Sequence, residues 1–378
     1  MTSHVEDFTR LELSAPDLLY NYRYFRSRLS SSTRMLVLVK ANAYGHGAVQ
    51  VASLLQQAGA DYLAVALPVE GIELRQAGIS MPIMVLTTGT DFFDEMLDKK
   101  LEPGIPNLYT LAALRDVLRR RGVKGFPVHL KIDSGMHRLG FMADELPALC
   151  AFLAESPEIT VRSVYSHLAV ADDPSEDEYT RFQIDTFIKG ATVIEQSIGY
   201  HPIWHLLNSA GIERFPEYQF DMVRLGIGIY GIDPVIRPEG VKSPAGLRPI
   251  ASLKVKILQI KTLRKGDGTI GYGRHGIVAP EGTVIATIPA GYADGLDRHL
   301  GCGRASFLLN GKRVPTIGNI CMDMTMLDIT GVEASVGDTV TIFGKDPSAE
   351  ELAGILDTIP YEILTSVPRR IQRVIIRK

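Results

Sequence analysis

The sequence has little that would staple it, charge it or anchor it in a membrane. Its three cysteines, Cys150, Cys302 and Cys321, are odd in number and scattered without CxxC spacing. That excludes a disulfide framework and a cysteine zinc site, and leaves free thiols. The formal charge is only −3, with a pI near 6.3. So weak a field gives no footprint for nucleic acid or an anionic membrane, and a small neutral or zwitterionic substrate fits better. No apolar run approaches spanning length. The polar, acidic start Met1-Thr2-Ser3-His4-Val5-Glu6-Asp7 lacks the basic and apolar regions of a signal peptide, so a soluble cytoplasmic protein without a bound metal is expected.

What is present is alternation. Up to about residue 240, apolar runs near 35–40, 61–66, 82–88, 101–105, 126–133, 160–169, 203–209 and 221–229 are separated by patterns such as 48–58, 69–78, 107–121 and 177–197, where apolar residues return at three and four. Eight strand–helix units make an α/β fold, a (β/α)₈ barrel. Ser14-Ala15-Pro16-Asp17 opens a helix before the first of them. Ahead of it, Phe8 to Leu13 alternates like a strand that pairs elsewhere. After about 240 the long helical patterns stop. Alternating segments Ala251 to Leu263, Thr283 to Pro289, Ala305 to Ile317 and Thr339 to Phe343 follow, with Asn310-Gly311 as a hairpin turn and one helix, Ser348 to Thr358. The expectation is a barrel over 1–240 and a mostly β C-terminal domain over 241–378.

In such a barrel chemistry collects where strands end. Lys40 closes the run Met35-Leu36-Val37-Leu38-Val39, and an ammonium at the mouth of a buried strand sheds water, which lowers its pKa toward that of a nucleophilic, Schiff-base-forming amine. Lys131 and Arg138 fall on and just past the fifth strand, His167 on the sixth, Asn208 and Ser209 at the close of the seventh, and Arg224 on the eighth. A guanidinium inside an apolar strand implies a buried partner. Gly226 and Gly228 let backbone N–H groups approach an anion, and Ser209 adds a hydroxyl, so together they form a candidate phosphate cup. Taken alone, His167 reads as a satisfied core histidine and Tyr272, in Gly271-Tyr272-Gly273, as a turn tyrosine.

The string Val39-Lys40-Ala41-Asn42-Ala43-Tyr44-Gly45-His46-Gly47 resembles the pyridoxal-phosphate lysine signature of the alanine racemases. So do Lys131-Ile132-Asp133-Ser134-Gly135-Met136-His137-Arg138-Leu139-Gly140, Ser166-His167, Asn208-Ser209-Ala210, the Arg224 strand, Gly271-Tyr272-Gly273-Arg274, Ala290-Gly291-Tyr292-Ala293-Asp294-Gly295 and Gly318-Asn319-Ile320-Cys321-Met322-Asp323. Together they cover nearly the whole chain, in the family's order.

The resemblance implies an isomerase that interconverts L- and D-alanine on pyridoxal 5'-phosphate and supplies D-alanine for peptidoglycan. Lys40 would hold the cofactor and act as base toward D-alanine, with Tyr272 as base toward L-alanine, helped to ionise by His167 linked to Arg224. Arg224 would face the pyridine nitrogen. Tyr44, Asn208, Ser209, Gly226, Ile227 and Tyr361 would hold the cofactor, its phosphate above all. Arg138 would bind both the cofactor's phenolic oxygen and the substrate carboxylate, with the Met322 N–H, Tyr292 and Asp323 also at the substrate. Lys131 matches a lysine that is carbamylated in many members. Tyr272, Tyr292, Met322 and Asp323 would come from the second subunit of a head-to-tail homodimer with shared sites. His137, where many relatives carry a small residue, is a departure that touches no assigned role.

Three rivals remain. A barrel-only, non-catalytic pyridoxal-phosphate-binding regulatory protein would lack the final third of this chain. A fold-related decarboxylase wants a cysteine-and-acid pairing in the β domain, which Cys321-Met322-Asp323 fits less well. A serine or broad-specificity racemase would differ in a few side chains near Tyr292 and Tyr361, and both tyrosines suit a narrow, alanine-sized entrance.

Overall fold

The protein is described from a computed structural model covering residues 8–237 and 246–377. The polar start and the boundary expected near residue 240 lie outside these residues. The chain divides into two compact units, one of residues Leu19–Ala43 and Ala48–Leu247, the other of Met1–Leu18, Tyr44–Gly47 and Arg248–Lys378.

In the first unit eight parallel strands close into a barrel. Numbering from the N-terminal strand β1 (Thr9–Ser14), these are β2 (Arg34–Leu38), β3 (Tyr62–Val65), β4 (Ile83–Val85), β5 (Glu102–Ile105), β6 (Phe126–Lys131), β7 (Ile159–Tyr165), β8 (Ile203–His205) and β9 (Met222–Leu225). Each corresponds to an expected run, but the runs overstate the ladders. Strands buried on both faces read as continuous apolar sequence, and burial continues after pairing ends: Leu206 and Leu207 are fully buried beyond β8. The placements of two site segments are corrected accordingly. His167 lies two residues past the end of β7, in a loop rather than on the strand. Ser209 does not close a strand; it begins the helix Ser209–Arg214, and Asn208 caps that helix, its Oδ1 accepting from the Gly211 N–H at 2.9 Å.

Helices Ala48–Gln57, Pro68–Gln76, Leu108–Arg121 and Asp177–Ile198 fall where the three-and-four spacing put them. Phe93–Asp98 and Leu146–Ala154 are additional. The second reads LPALCAFLA, without polar residues to mark a face, so its period is invisible. Ser14 Oγ accepts from the Asp17 N–H at 3.3 Å and opens the helix Ala15–Ser27.

In the second unit β1 lies inside a six-stranded sheet. It pairs antiparallel with β10 (Ala251–Lys256) and parallel with the strand Gln372–Ile376. Leu11 and Leu13 point to the core with Leu253 and Val255. The alternating segment Ala251 to Leu263 forms two strands, β10 and Gln259–Leu263, the second of which joins a separate three-stranded sheet. Asn310 and Gly311, with φ of 49° and 77°, turn the hairpin between Ser306–Leu309 and Lys312–Pro315. The expected single helix is Ala349–Ile355, and a second short helix, Pro360–Thr365, follows. Gly45 (φ 83°) packs so closely that a Cβ there would lie 2.0 Å from the Leu364 carbonyl oxygen, so the glycine is required both by conformation and by space.

Candidate active site

Lys40 stands two residues beyond β2, and the chain then does something rare. Ala41, Asn42 and Ala43 have φ of 50–55° and ψ of 46–53°, and Tyr44 has φ 52°. A run of left-handed non-glycine residues costs roughly 1–2 kcal/mol each, and such strain persists only where surrounding bonds fix it. Here the Glu70 carboxylate accepts from the Ala41 N–H at 2.6 Å, and Asn42 Oδ1 accepts from the Ala48 N–H at 2.9 Å. Burial, and the nearby Arg138 charge, push the Lys40 ammonium down, with Glu70 opposing. Glu70, which also caps its own helix through the Ala66 and Leu67 N–H groups, was not foreseen; its only sequence signal is its place in the first turn of a helix. In the second unit the Tyr44 ring lies 5.9 Å from that of Tyr361, and burial pushes its phenol far above the usual range.

Arg224, third residue of β9, is buried, and its partners are not acids. Its Nη2 donates to the Ser166 and Leu206 carbonyls at 2.5 and 2.8 Å, its Nη1 to the His205 carbonyl at 3.0 Å, and both reach imidazoles at 3.2 Å, Nη1 at His205 Nδ1 and Nη2 at His167 Nδ1. The implied partner thus turns out to be a set of dipoles. Burial lowers the guanidinium to about 10, so it stays charged at neutral pH. Because arginine can only donate, each Nδ1 must accept, and each neutral ring carries its proton on Nε2. Burial, with Arg224 next, pushes both imidazoles well below their ordinary value. The Tyr165 ring stacks on His205 at 5.1 Å, with the Arg224 guanidinium carbon 5.6 Å from its centre.

Ser209 Oγ receives the Gly226 and Gly228 N–H groups at 2.9 and 3.4 Å, and Ile227 between them is buried. Both N–H groups are thus directed at the serine oxygen, which leaves the Ser209 hydroxyl hydrogen to donate onward. Lys131, the last residue of β6, is buried, and burial with Arg138 and Arg224 lowers it to about 8. Arg138 is exposed on a loop held by Asp133, whose Oδ1 accepts from the Gly135 and His137 N–H groups at 2.9 and 3.0 Å.

The remaining candidates belong to the second unit and are tied to one another there. Asn319 Nδ2 donates to the Tyr272 carbonyl at 2.7 Å, and the Tyr292 and Ala293 N–H groups donate to the Cys321 and Met322 carbonyls. Arg370 bridges Asp294 and Asp323, so the Asp323 carboxylate is already engaged. The side chains of Tyr272 (74% exposed), Met322 (54%) and Tyr292 (44%) are unusually open for large groups. The cysteines are free.

A closed barrel whose strand ends gather a lysine of lowered pKa, a charged arginine among dipoles and a buried serine hydroxyl is the scaffold of a (β/α)₈ enzyme. Comparison with known proteins makes this more specific. The family model described as alanine racemase, N-terminal domain, matches residues 14–234, and that of its C-terminal domain matches 250–375. An alanine racemase of Synechocystis sp. is 37% identical, with 97% of this chain and 98% of the relative covered, and one of Sorangium cellulosum is 38% identical over the same shares. The solved alanine racemase of Clostridium difficile 630 superposes with a TM-score of 0.91 at 35% identity, covering 99% of this chain and 97% of that one. That of Bacillus anthracis, solved with bound L-Ala-P, gives 0.90 at 32%, covering 100% and 97%. The chain belongs to the alanine racemase family.

Proposed function

We propose that this chain racemises alanine in the cytoplasm with pyridoxal 5'-phosphate held by its barrel, supplying D-alanine for peptidoglycan. The observation that carries the reading is Arg224, a charged guanidinium at the strand ends whose partners are carbonyls and imidazoles, together with the lowered Lys40 amine on the same barrel. These donors fit the cofactor: an amine for its aldehyde, a cation that donates a hydrogen bond to the ring nitrogen without giving up a proton, and the Ser209, Gly226 and Ile227 cup for its phosphate. We assign further phosphate contacts to Tyr44 and Tyr361 on the family resemblance, and the Asn208 cap fixes the helix that presents Ser209. When bound, pyridoxal phosphate supplies an aldehyde that condenses with amines and a conjugated ring that spreads negative charge from the adjacent carbon.

Lys40 Nζ would anchor the cofactor and would take or return the α-hydrogen of D-alanine. Tyr272 Oη does the same for L-alanine from the opposite face, since inversion needs one base on each side of a planar carbon. With Nδ1 committed to Arg224, His167 presents Nε2–H, so it aids Tyr272 by donating to the phenolate rather than by taking its proton. Arg138 and the Met322 N–H hold the substrate carboxylate, with Tyr292 and Asp323 beside them. The exposure of Tyr272, Tyr292 and Met322 supports a homodimer in which these residues complete the partner's site.

Two outcomes test this reading. Purified protein with pyridoxal phosphate should convert L-alanine to D-alanine, and D- to L-alanine, with L-serine at least tenfold slower in kcat/KM; chiral chromatography decides, and serine turnover equal to alanine would make it a broad-specificity racemase. Lys131 is expected to carry carbon dioxide as a carbamate, because an anion there would pair with Arg138 where an ammonium repels it. Only the neutral amine reacts. Its fraction grows as pH rises through about 8, so at a fixed concentration of dissolved carbon dioxide the amine should form the N–C bond, releasing one proton to solvent, faster at pH 9 than at pH 7. Stripping carbon dioxide should lower activity and bicarbonate restore it; indifference to bicarbonate, with no adduct by carbon-13 NMR, would leave Lys131 a plain lysine.

A further inference from the structure

A chain of hydrogen bonds crosses the barrel interior and ends on Arg224. At the other end, Glu102 and Tyr62 are the first residues of β5 and β3 and therefore lie at the N-terminal end of the barrel, opposite the catalytic face. Glu102 Oε2 accepts from Tyr62 Oη at 2.7 Å and meets His129 Nε2 at 2.8 Å. His129 Nδ1 lies 2.6 Å from Ser163 Oγ, Ser163 Oγ 2.8 Å from His205 Nε2, and His205 Nδ1 3.2 Å from Arg224 Nη1. His129, Ser163 and His205 are fully buried. Apart from His205's contact with Arg224, none of these groups has a part in the chemistry assigned above.

We propose that Glu102 is a positioning residue for Arg224, acting through His129, Ser163 and His205 to keep a bare imidazole nitrogen facing the guanidinium. The inference rests on the assignment of Arg224 to the cofactor's ring nitrogen. The donor directions follow from the two ends. Arginine cannot accept, so His205 Nδ1 is bare and its Nε2–H donates to Ser163 Oγ. The serine hydrogen then turns to His129 Nδ1, and His129 Nε2–H donates to Glu102. One arrangement satisfies every member, and both ends enforce it. Although burial alone would raise it, the Glu102 carboxyl is held below its usual range chiefly by His129, through its hydrogen bond and its electrostatic attraction, then by the Tyr62 bond and the Arg162 charge, so it remains an acceptor.

Without that acceptor, His129 gains nothing from carrying its proton on Nε2. The reversed sequence, with His129 Nδ1–H donating to Ser163 and Ser163 donating to His205 Nε2, becomes competitive. It puts His205 Nδ1–H against an Arg224 N–H, donor against donor, and the guanidinium must turn. A buried network of this kind acts as a unit, so a residue at the bottom of the barrel, where sequence would be read as serving stability alone, governs a group at the top.

Nitrogen-15 NMR of the histidine rings in the cofactor-loaded protein tests the proposal apart from turnover. Wild type should show His205 protonated on Nε2 only. Glu102→Met, similar in length but without an acceptor, should populate the Nδ1–H form of His205 and lower kcat roughly tenfold, the lower end of what losing a ring-orienting partner costs, with KM for alanine within about twofold. Glu102→Gln keeps an oxygen acceptor and should restore both. On a Ser163→Ala background, Glu102→Met should change neither reading further, because the link is already cut. If Glu102→Met does not fold, Ser163→Ala alone should mix the His205 tautomers and lower kcat, leaving His129 protonated on Nε2. An unchanged His205 ring in Glu102→Met, a Gln variant as impaired as Met, or an undiminished effect of Glu102→Met on the Ser163→Ala background would overturn the proposal. A wild-type protein that fails to racemise alanine defeats the functional reading instead, and the tautomer measurement still stands.

Discussion

Lys40→Ala is expected to lose roughly 10⁴-fold or more in kcat/KM for alanine in either direction, the scale on which removal of a covalent catalytic group acts. Two of the roles proposed for Lys40 would vanish with one side chain, the covalent hold on the cofactor and the base on one face of the substrate carbon. The loss should therefore show twice. After gel filtration the variant should carry less visible cofactor absorbance than wild type, and saturating it with pyridoxal phosphate should not restore turnover. The barrel itself should survive, since Lys40 is only partly buried and lies beyond the paired residues of β2. Near-wild-type racemisation by the variant in buffer free of amines would remove Lys40 from the mechanism.

Tyr272→Phe should lose racemisation in both directions by about 10³-fold, within the range a positioned base supplies, while cofactor binding stays intact. Each direction needs one base to remove the hydrogen and the other to return it, so a single missing hydroxyl blocks both. Isotope exchange separates the two faces. In deuterium oxide the variant should still exchange the α-hydrogen of D-alanine through Lys40, and should leave that of L-alanine in place; equal exchange of both would refute the assignment of faces. Because Tyr272 is proposed to act in the partner's site, mixed dimers of Lys40→Ala and Tyr272→Phe chains should regain activity, one of their two sites being intact. No recovery in verified mixed dimers would sink the shared site.

The barrel was legible because eight apolar runs recur between amphipathic helices, and the Lys40 turn because glycines, a tyrosine and a histidine crowd behind a strand. What the sequence hid is instructive. Strand ends were overdrawn, since Leu206 and Leu207 stay buried after the ladder stops, and this misplaced Asn208 and Ser209. Glu70 was missed because its hold on Ala41 joins residues 29 positions apart. His129, Ser163 and His205 were missed for a subtler reason: a polar residue in a buried strand reads as tolerated variation until its neighbours on adjacent strands are known. The available signal was that all three fall in apolar runs where an unpartnered polar side chain would be costly. Arg224 stands out on the same ground, and the buried partner it implies is a set of carbonyls and imidazoles.

The place of β1 has a consequence for how such a chain can be cut and reassembled. Thr9–Ser14 sits between Ala251–Lys256 and Gln372–Ile376 in one sheet, so the second unit is built from segments that flank the barrel in sequence on both sides. A fragment starting at Arg248 would carry Gln372–Ile376 with no strand beside it, and a fragment ending there would leave Thr9–Ser14 as a bare edge. The units are therefore not cassettes that one crossover could exchange between genes. A recombinant that kept this sheet would have to take its first and last segments from the same parent and replace only what lies between.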